Sequence, residues 1–279
     1  FQAMTFPDFV EAFGLDHYDV SIRALHYFTR FSSSEFAIRP FILREQTKTL
    51  DHLLRWSLDE NHHVRRLSSE GCRPRLPWAM ALPQFQQDPA PILPILENLK
   101  HDPEEYVRKS VANNLNDISK DHPGLVLDIA KKWKGSHPQT DKLIKHACRT
   151  LLKAGNKKAL ALFGLKANKH ITIANFKVQD KRVSLGGNVR FEFDISNGSK
   201  KPIMLRIEYK IHYVKANGTL SSKIFKISER IIDPESCLSI KRKHRCKDLT
   251  TRKHYPGKHK IEPVVNGSSM GIKSFELVM

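Results

Sequence analysis

The chain has 279 residues, which is enough for two domains that each build a core of ordinary size. Hydrophobic residues make up 40% of the sequence and charged residues 27%, proportions that argue against a mainly disordered or fibrous protein. The 47 lysines and arginines exceed the 29 acidic residues and give a formal net charge of +18, which favours a polyanionic partner.

A membrane surface is also polyanionic, but the sequence gives that partner little support. No run approaches the roughly 20 apolar residues that span a bilayer, and the first residues lack the basic segment and apolar stretch of a secretion signal. We therefore expect a cytosolic protein. Phe1 is not an initiating methionine, and the residues after it resemble the interior of a helical protein, so we also expect natural residues before it.

The cysteines predict neither a metal site nor a disulfide framework, because their spacings fit no pattern of metal ligands or of small disulfide-rich scaffolds. We expect reduced thiols, and no metal or other cofactor. The four positions are Cys72, Cys148, Cys237 and Cys246.

Apolar residues recur at helical spacing from about Ser21 to Leu165, which predicts that a first domain, residues 1–168, is nearly all helix. Within it, an acidic residue followed by an apolar–basic pair returns at intervals of 26, 43 and 37 residues, counted between the apolar members. The pairs are Ile38-Arg39, Val64-Arg65, Val107-Arg108 and Ile144-Lys145. Intervals near the length of one helical pair predict a HEAT-like α-solenoid, a fold that provides an extended surface for a long partner.

A carboxylate, two arginines and a tryptophan come together in the segment Glu70-Gly71-Cys72-Arg73-Pro74-Arg75-Leu76-Pro77-Trp78. Its glycine and two prolines should end the preceding helix, and irregular loops of this kind are often functional. A purely structural loop between repeats, with Trp78 in the core and Glu70 in a salt bridge, would have the same composition.

A further helix begins near Tyr106 and has two faces of different character. Val107, Val111 and Ile118 form an apolar stripe that predicts its buried side. The opposite face is polar and is where a site would lie, although a solvated face gives the same pattern. Its residues are Lys109, Asn113, Asn116 and Asp117.

After about Lys169 the apolar period changes to two, which is typical of half-buried strands. Asn-Gly pairs begin at Asn197, Asn217 and Asn266 and supply the positive φ angles of tight turns. We predict that residues 169–279 form a small antiparallel β-sandwich of the immunoglobulin-like kind, without the Cys, Trp, Cys core of an antibody domain. The fold class is thus α+β with two domains.

This β domain carries most of the charge: its 23 basic and 10 acidic residues give a net +13, against +5 for the rest of the chain. The densest basic stretch predicts a loop or hairpin that grips a polyanion, although a merely solvated loop would look the same. Its candidate contacts are Lys241, Arg242, Lys243, Arg245, Arg252, Lys253 and Lys258. Three histidines there lack the spacing of metal ligands, and we interpret them as part of the cationic surface. They are His244, His254 and His259.

Several of these stretches resemble the HEAT-like alkylpurine DNA glycosylases, and among them the AlkC branch, whose longer members end in an immunoglobulin-like domain. They are residues 34–41 (SEFAIRPF), 70–78 (EGCRPRLPW) and 106–117 (YVRKSVANNLND). Residues 255–259 (YPGKH) and 265–267 (VNG) are similar to the closing strand pair of that domain. The resemblance spans most of the chain, and its motifs are fairly specific.

The resemblance implies a bacterial, nucleoid-associated, monofunctional enzyme that acts on double-stranded alkylated DNA. It would hydrolyse the N-glycosidic bond of cationic lesions such as 3-methyladenine and 3-methylcytosine, without a helix-hairpin-helix motif or a deep base-flipping pocket. We expect a monomer. The main alternative is a non-catalytic adaptor that uses the same two domains to bind nucleic acid or protein.

The resemblance also gives the candidate residues their roles. Glu70 is the first choice, and Asp117 the second, for a carboxylate that stabilises positive charge on the sugar and positions water. Trp78 would press an aromatic face against the cationic nucleotide. The sister AlkD group has a tryptophan near the place of Asn113, so we expect only a DNA contact there, without an aromatic role. Flanking phosphates would be held by Arg73, Arg75, Arg108 and Lys109.

Overall fold

The computed structural model describes residues 4–250 and 252–279. They divide into two compact units, the first ending at Leu151 and the second running from Leu152 to Met279. Phe1, before which we expect further natural residues, lies outside the described residues. Each unit is described by itself below.

The first unit is helical, as the apolar spacing predicts, and the last of its helices crosses the boundary between the units. The helices are α1 (Thr5–Phe13), α2 (Tyr18–Phe28), α3 (Ile38–Arg44), α4 (Gln46–Trp56), α5 (His62–Gly71), α6 (Pro83–Gln87), α7 (Leu93–Leu99), α8 (Glu105–Ile118), α9 (Pro123–Trp133), α10 (Pro138–Ala147) and α11 (Arg149–Lys153). Three of them, α6, α9 and α10, begin with proline, whose fixed φ suits the first helical position and whose missing N–H is not needed there.

Helix α5 packs against α8, and α8 packs against α10. Val64, Val107 and Val111 are fully buried in this part of the core. Polar bonds fix the register of α5 and α8, because Asn114 Nδ2 donates to the Ser69 carbonyl oxygen at 2.9 Å. This packing brings the C-terminal ends of α5 and α8 side by side.

The recurring apolar–basic pair has a structural explanation in two of the repeats. Arg65 Nη1 donates to the carbonyl oxygens of Asp59 and Glu60, in the turn before its own helix. Arg108 Nη1 donates in the same way to the carbonyl oxygens of Asp102 and Pro103. In each case the arginine ties a helix to the turn five and six residues earlier, which accounts for the repeated phrase in the sequence.

Helices α3 and α5 approach each other closely at Gly71. A methyl group placed on its Cα would lie 2.6 Å from Ile38 Cγ2, closer than any ordinary carbon contact. Glycine at the last position of α5 therefore allows α3 to lie against the helix end that carries Glu70.

The second unit begins with the short helix α12 (Lys157–Leu162) and is otherwise built of strands. They are β1 (Ile171–Val178), β2 (Arg182–Ser184), β3 (Asn188–Asn197), β4 (Ile203–Val214), β5 (Leu220–Ile232), β6 (Cys237–Arg245), β7 (Gly257–Val265), β8 (Ser268–Ser269) and β9 (Lys273–Val278). One sheet has the order β1-β3-β6 and the other β2-β9-β7-β4-β5, with β8 beside β7. All named pairs are antiparallel except β2 with β9, which is parallel.

The inward residues of the two sheets form an apolar core, as the alternation of the sequence predicts, with a smaller second cluster around Val189 and Phe275. Phe191, Phe193, Ile207 and Ile211 are at most 1% exposed. The turn between β7 and β8 has φ angles of 47° at Asn266 and 78° at the following glycine, the tight hairpin turn expected of an Asn-Gly pair. The predicted β-sandwich with an immunoglobulin-like domain is confirmed.

No helix among residues 4–250 and 252–279 combines the length and the apolar character needed to cross a membrane.

We predict that Gly71→Ala lowers the free energy of unfolding by about 1–3 kcal/mol, because the new methyl group would overpack against Ile38. Gly124→Ala is the matched control: it lies in α9 with no atom within 4 Å of the added methyl, and should stabilise slightly, by less than about 1 kcal/mol. Urea unfolding of both variants measures the difference. Equal effects would mean that α3 does not press on the end of α5.

Candidate functional site

Arg73 joins the two carboxylates that the sequence singles out. It follows α5, and its Nη1 donates to Glu70 Oε1 at 2.6 Å while its Nε donates to Asp117 Oδ2 at 2.9 Å. All three side chains are buried, with at most 6% of each residue exposed. Burial alone would lower the pKa of Arg73, but the two carboxylates outweigh it and raise that pKa above its usual value. Arg73 is therefore a fixed cation between two fixed anions.

Further charges continue this arrangement on both sides. Arg66 lies 3.6 Å from Glu70 Oε1 and also pairs with Glu35, while Lys120 Nζ lies 3.2 Å from Asp117 Oδ1. Acid and base thus alternate along a chain of six side chains, which we name the charge network. Its members are Glu35, Arg66, Glu70, Arg73, Asp117 and Lys120.

One carboxylate oxygen of this network has no partner. Glu70 Oε2 is buried and has no hydrogen bond to any of the described residues, whereas Oε1 of the same side chain faces Arg66 and Arg73. A buried acceptor without a donor is costly and rare in folded proteins. Glu70 Oε2 is therefore a buried acceptor that the described residues leave unsatisfied.

The cysteine of the same segment is a poor candidate for a nucleophile. Cys72 is completely buried at the end of α5, and its Sγ faces the carbonyl oxygens of Ser68 and Ser69. Burial raises the pKa of the Cys72 thiol to about 12, so the reactive thiolate form is almost absent at neutral pH. Glu70 remains the chemically competent group of the segment.

Trp78 lies on the surface, not in the core. Residues 72–82, between α5 and α6, form a loop that we name the Trp78 loop. The residue is 98% exposed and has a φ of 64°, a left-handed conformation that is uncommon for a bulky side chain. The alternative of a structural loop with Trp78 buried is therefore wrong on that point, although its expectation of a salt bridge at Glu70 is confirmed.

The polar face of α8 is not a solvated face at its C-terminal half. Asn116 and Asp117 are buried, and Asn116 Oδ1 accepts hydrogen bonds from the Thr150 hydroxyl and backbone. Asn113 Oδ1 accepts a hydrogen bond from Arg149 Nη2 at 3.1 Å. These contacts turn the polar face toward the C-terminal end of α10 and the start of α11.

Arg149 is a candidate residue of the functional site that the sequence analysis does not identify. Among the described residues it pairs with no carboxylate, and its guanidinium donates only to Asn113 Oδ1 and to the His146 carbonyl oxygen. Burial lowers the pKa of Arg149, while Asp117 acts to raise it. Nothing in the sequence indicates that an arginine at the start of α11 lies beside Asn113. Only the packing of α8 on α10 shows this position.

The expected phosphate contacts of the first unit differ in their exposure and in the carboxylates with which they pair. Arg73 does not fit that role, because its guanidinium is buried between two carboxylates. Arg75 is partly exposed but forms a bidentate pair with Asp121, with its Nη2 2.8 Å from Oδ1. Lys109 is exposed and pairs with Glu105 on its own helix.

Arg108 and Lys109 line a cleft of about 240 Å³ between α8 and α10. Lys142 and His146 line its other side, and neither appears in the sequence prediction. The cleft contains one acidic side chain, Glu105, and is otherwise basic or neutral. Its mainly basic lining is suited to an anion.

In the second unit the basic stretch is a strand followed by a loop, not one loop or hairpin as expected. Lys241, Lys243 and Arg245 point away from the core in β6, which pairs with β3 along its whole length. Arg242 alternates to the inner side in register with buried Phe191, yet it stays exposed at this edge of the sheet. The loop after β6 carries two more of the predicted contacts, Arg252 and Lys253.

The three histidines are not part of the cationic surface, and that interpretation is wrong. His254 and His259 are 5% and 1% exposed. His244 points inward, where both its ring nitrogens form hydrogen bonds with the hydroxyl groups of Tyr209 and Tyr213. Burial lowers the pKa of His244 to about 4, so it is neutral at pH 7. The period of two explains the burial of His244 in β6 and His259 in β7, because every second residue of a strand faces the core.

Two of the other expected contacts lie apart from β6. Arg252 stacks on the ring of Tyr213, with 4.4 Å between Cζ and the ring centroid. Lys258 lines a different groove of about 700 Å³, beside three lysines from distant parts of the sequence. These are Lys177, Lys181 and Lys273. Local charge density in the sequence does not indicate such a surface, since separate strands assemble it.

Within residues 4–250 and 252–279, no group of three or more histidine, cysteine, aspartate or glutamate side chains is arranged to hold a metal ion.

Comparison with known proteins assigns both units to described families. Residues 29–151 match the family described as DNA alkylation repair enzyme, and residues 172–279 match the C-terminal Ig-like domain of the uncharacterised protein YhaZ. YhaZ of Bacillus subtilis (strain 168) is 50% identical over 272 residues, which cover 98% of this chain and 76% of that protein.

A solved structure gives a close match over almost the whole chain. It is the alkylpurine DNA glycosylase AlkC of Pseudomonas fluorescens, bound to DNA containing an abasic site analog. The TM-score is 0.97 at 42% sequence identity, over 99% of this chain and 77% of that one.

We predict that Arg73→Met lowers the free energy of unfolding by about 3–5 kcal/mol, because Glu70 and Asp117 lose the cation that they share in a buried site. Arg75→Met is the matched control two residues away. It removes a partly exposed pair with Asp121 and should cost at most about 1 kcal/mol. Urea unfolding at pH 7 compares the two. A loss of similar size in both variants would show that the network does not stabilise the unit.

Proposed function

The chain belongs to the DNA alkylation repair enzyme family, in its AlkC branch with a C-terminal Ig-like domain, and from that premise we propose that it is a DNA glycosylase for cationic alkylated bases. Its substrates would be 3-methyladenine and 3-methylcytosine in double-stranded DNA. The enzyme would be monofunctional and would leave an abasic site without cutting the strand. It would act as a monomer on the DNA of a bacterial cytoplasm.

The observation that carries this proposal is the state of Glu70. Two arginines hold its Oε1 and fix the carboxylate in place, while Oε2 stays without a partner. Preorganised charge of this kind stabilises a transition state more than mobile charge does, because no reorganisation is needed during the reaction. Glu70 is therefore suited to face a centre on which positive charge develops.

The reaction follows from the chemistry of an alkylated base. The bond between sugar C1′ and the base nitrogen breaks, and its electron pair leaves with the base, which becomes neutral. The sugar passes through an oxocarbenium-like state that Glu70 Oε2 stabilises, as carboxylates do in glycoside hydrolysis. Water adds to C1′, and its proton passes to the carboxylate. A cationic leaving group needs no protonation, so one carboxylate is sufficient and no acid partner is required.

The enclosure of Glu70 and Asp117 favours a site without a deep base pocket. The guanidinium of Arg73 lies between them, so a base cannot enter there. The charge of a cationic lesion already distinguishes it from normal bases, so shape readout of an extruded base is not needed. Asp117 would help to orient the water and, through Arg73, Glu70 itself.

The surface residues would bring the duplex to this site. Trp78 would contact the cationic nucleotide through its exposed ring, an interaction worth roughly 0.5–2 kcal/mol. Arg108 and Lys109 would contact the phosphates through the cleft between α8 and α10. Asn113 would contact the DNA beside them. The outer face of β6 would add the strongest electrostatic attraction, since the second half of the sequence holds most of the net charge.

We predict that Glu70→Gln lowers the single-turnover rate of 3-methyladenine release by about 10²-fold or more, because the amide cannot compensate the charge on the sugar. Affinity for duplex DNA with an abasic site analogue should change by no more than roughly threefold. Mass spectrometry of the bases released from methylated duplex DNA measures the rate. The product strand should stay intact until alkaline treatment cleaves it.

Glu60→Gln is the control for this substitution. Glu60 is exposed and lies outside the charge network, so this variant makes the same chemical change away from the site. Its rate should equal that of the unaltered protein. Full activity of Glu70→Gln would exclude the proposed role of Glu70 and make Asp117→Asn the next variant to measure. A wild-type protein that binds the duplex but releases no base would support the non-catalytic adaptor instead.

We predict that the double variant Lys241→Ala, Lys243→Ala weakens DNA binding and reduces the slope of log affinity against log salt by about 2, one unit for each lost phosphate contact. Lys200→Ala, Lys201→Ala is the matched control, because it removes the same charge from an exposed loop of the same unit. Fluorescence titrations at several salt concentrations give both slopes. An unchanged slope in the β6 variant would mean that this strand is only solvated.

A further inference from the structure

Arg39 is a buried arginine that the proposed reaction does not use. It lies at the second position of α3, is 0% exposed and is the largest fully buried side chain among the described residues. Among those residues it forms no ion pair, and its Nη2 has no hydrogen-bond partner. Burial lowers the pKa of Arg39 to about 10, so the side chain stays charged at neutral pH. A charge in such a place is costly, and an apolar side chain of similar volume is often better for stability alone.

Its hydrogen bonds go to the two ends of the Trp78 loop. Nη1 donates to the Gly71 carbonyl oxygen at 2.9 Å, just before the loop begins. Nε donates to the Met80 carbonyl oxygen at 2.8 Å, two residues after Trp78. One rigid, planar group therefore fixes the distance between the end of α5 and the far side of the loop.

The internal repeat shows that this use of the arginine is special. Arg65 and Arg108 occupy the same place in the recurring phrase, and each bonds to the turn five and six residues earlier. Arg39 bonds instead to carbonyl oxygens 32 and 41 residues later in the sequence. In the first repeat, the arginine thus bonds to the Trp78 loop and to the end of α5, instead of to the turn before its own helix.

The loop has reason to need such support. Trp78 holds a left-handed backbone conformation with its ring in solvent, so its own contacts do not stabilise that conformation. The first part of the loop is held by Arg73 and Arg75, which bond to Asp117 and Asp121. Closer to Trp78, Ala79 N donates to the Leu76 carbonyl oxygen at 3.4 Å, and the bond from Arg39 Nε to the Met80 carbonyl oxygen is shorter, at 2.8 Å.

We propose that Arg39 is a positioning residue, which sets the place of Trp78 relative to Glu70 by holding both ends of the Trp78 loop. This rests on the proposed function of those two residues. Arg39 itself touches no substrate. Its contribution is to order the loop before DNA arrives, so that binding the lesion does not have to pay for that ordering.

The first test measures the loop directly and needs no catalysis. Trp78 is 98% exposed, whereas Trp56 and Trp133 are 8% and 3% exposed, so acrylamide quenching and fast depolarisation report on Trp78. Arg39→Lys keeps the charge but reaches only one carbonyl oxygen, and Arg39→Met reaches neither. We expect the depolarisation of Trp78 to be slowest in the wild type, faster in Arg39→Lys and fastest in Arg39→Met. Unchanged depolarisation in both variants would overturn the proposal.

The second test measures the consequence. Single-turnover excision of 3-methyladenine should fall by about 10–100-fold in Arg39→Met and by less in Arg39→Lys, as expected for a displaced contact group. Arg65→Met is the matched control: it removes the arginine of another repeat, so it should lower the melting temperature but leave both Trp78 depolarisation and the excision rate unchanged. An Arg39→Lys protein as active as wild type, or equal losses of activity in Arg39→Met and Arg65→Met, would exclude a positioning role.

A third variant avoids the core altogether. Pro77→Gly loosens the exposed part of the loop next to Trp78 and leaves every bond of Arg39 in place. If order in the loop matters, excision falls while the melting temperature stays the same; full activity with a faster-moving Trp78 would overturn the proposal even if Arg39→Met does not fold. Absence of excision in the wild type would refute the proposed function, and the depolarisation result would still decide whether Arg39 orders the loop.

Discussion

The contact on which the first unit depends is the one between Arg73 and its two carboxylates. Glu70 and Asp117 come from different helices, and without a cation between them two buried negative charges would lie together. Gly71 also lets α3 pack against the end of α5 that carries Glu70. The same contact thus holds two helix ends together, compensates both charges and leaves Glu70 Oε2 as the acceptor without a partner.

Much of this organisation can be predicted from the sequence. The helical period, the change to a period of two and the Asn-Gly turn at Asn266 are local signals, and each corresponds to an element of the structure. The segment from Glu70 to Trp78 also stands out locally, because helix-breaking residues surround a carboxylate, arginines and an aromatic ring. Charged residues at a helix end can be recognised in the sequence even when the residues that pair with them are unknown.

The partners themselves could not be predicted, because they depend on packing between distant segments. The resemblance implies that Arg73 holds a phosphate, but Asp117 lies 44 residues away and reaches it only through the packing of α5 on α8. His244 looks cationic beside Lys243, but strand alternation turns it inward to two tyrosine hydroxyl groups. Arg149 carries no local signal at all. In each case the sequence gives the residue type, and the tertiary contact decides its charge state or its role.

A protein that binds a polyanion and also attracts a cationic lesion faces opposing electrostatic demands, since exposed carboxylates would repel the phosphates. The structure meets both demands by placing negative and positive charges at different depths below the surface. Glu70 and Asp117 are buried beside arginines, so little of their negative charge reaches the surface. Exposed basic residues, such as Lys243, lie on outer faces. In the proposed function, the phosphate backbone would thus meet positive charge at long range, and negative charge would act only over the short distance between a lesion and Glu70.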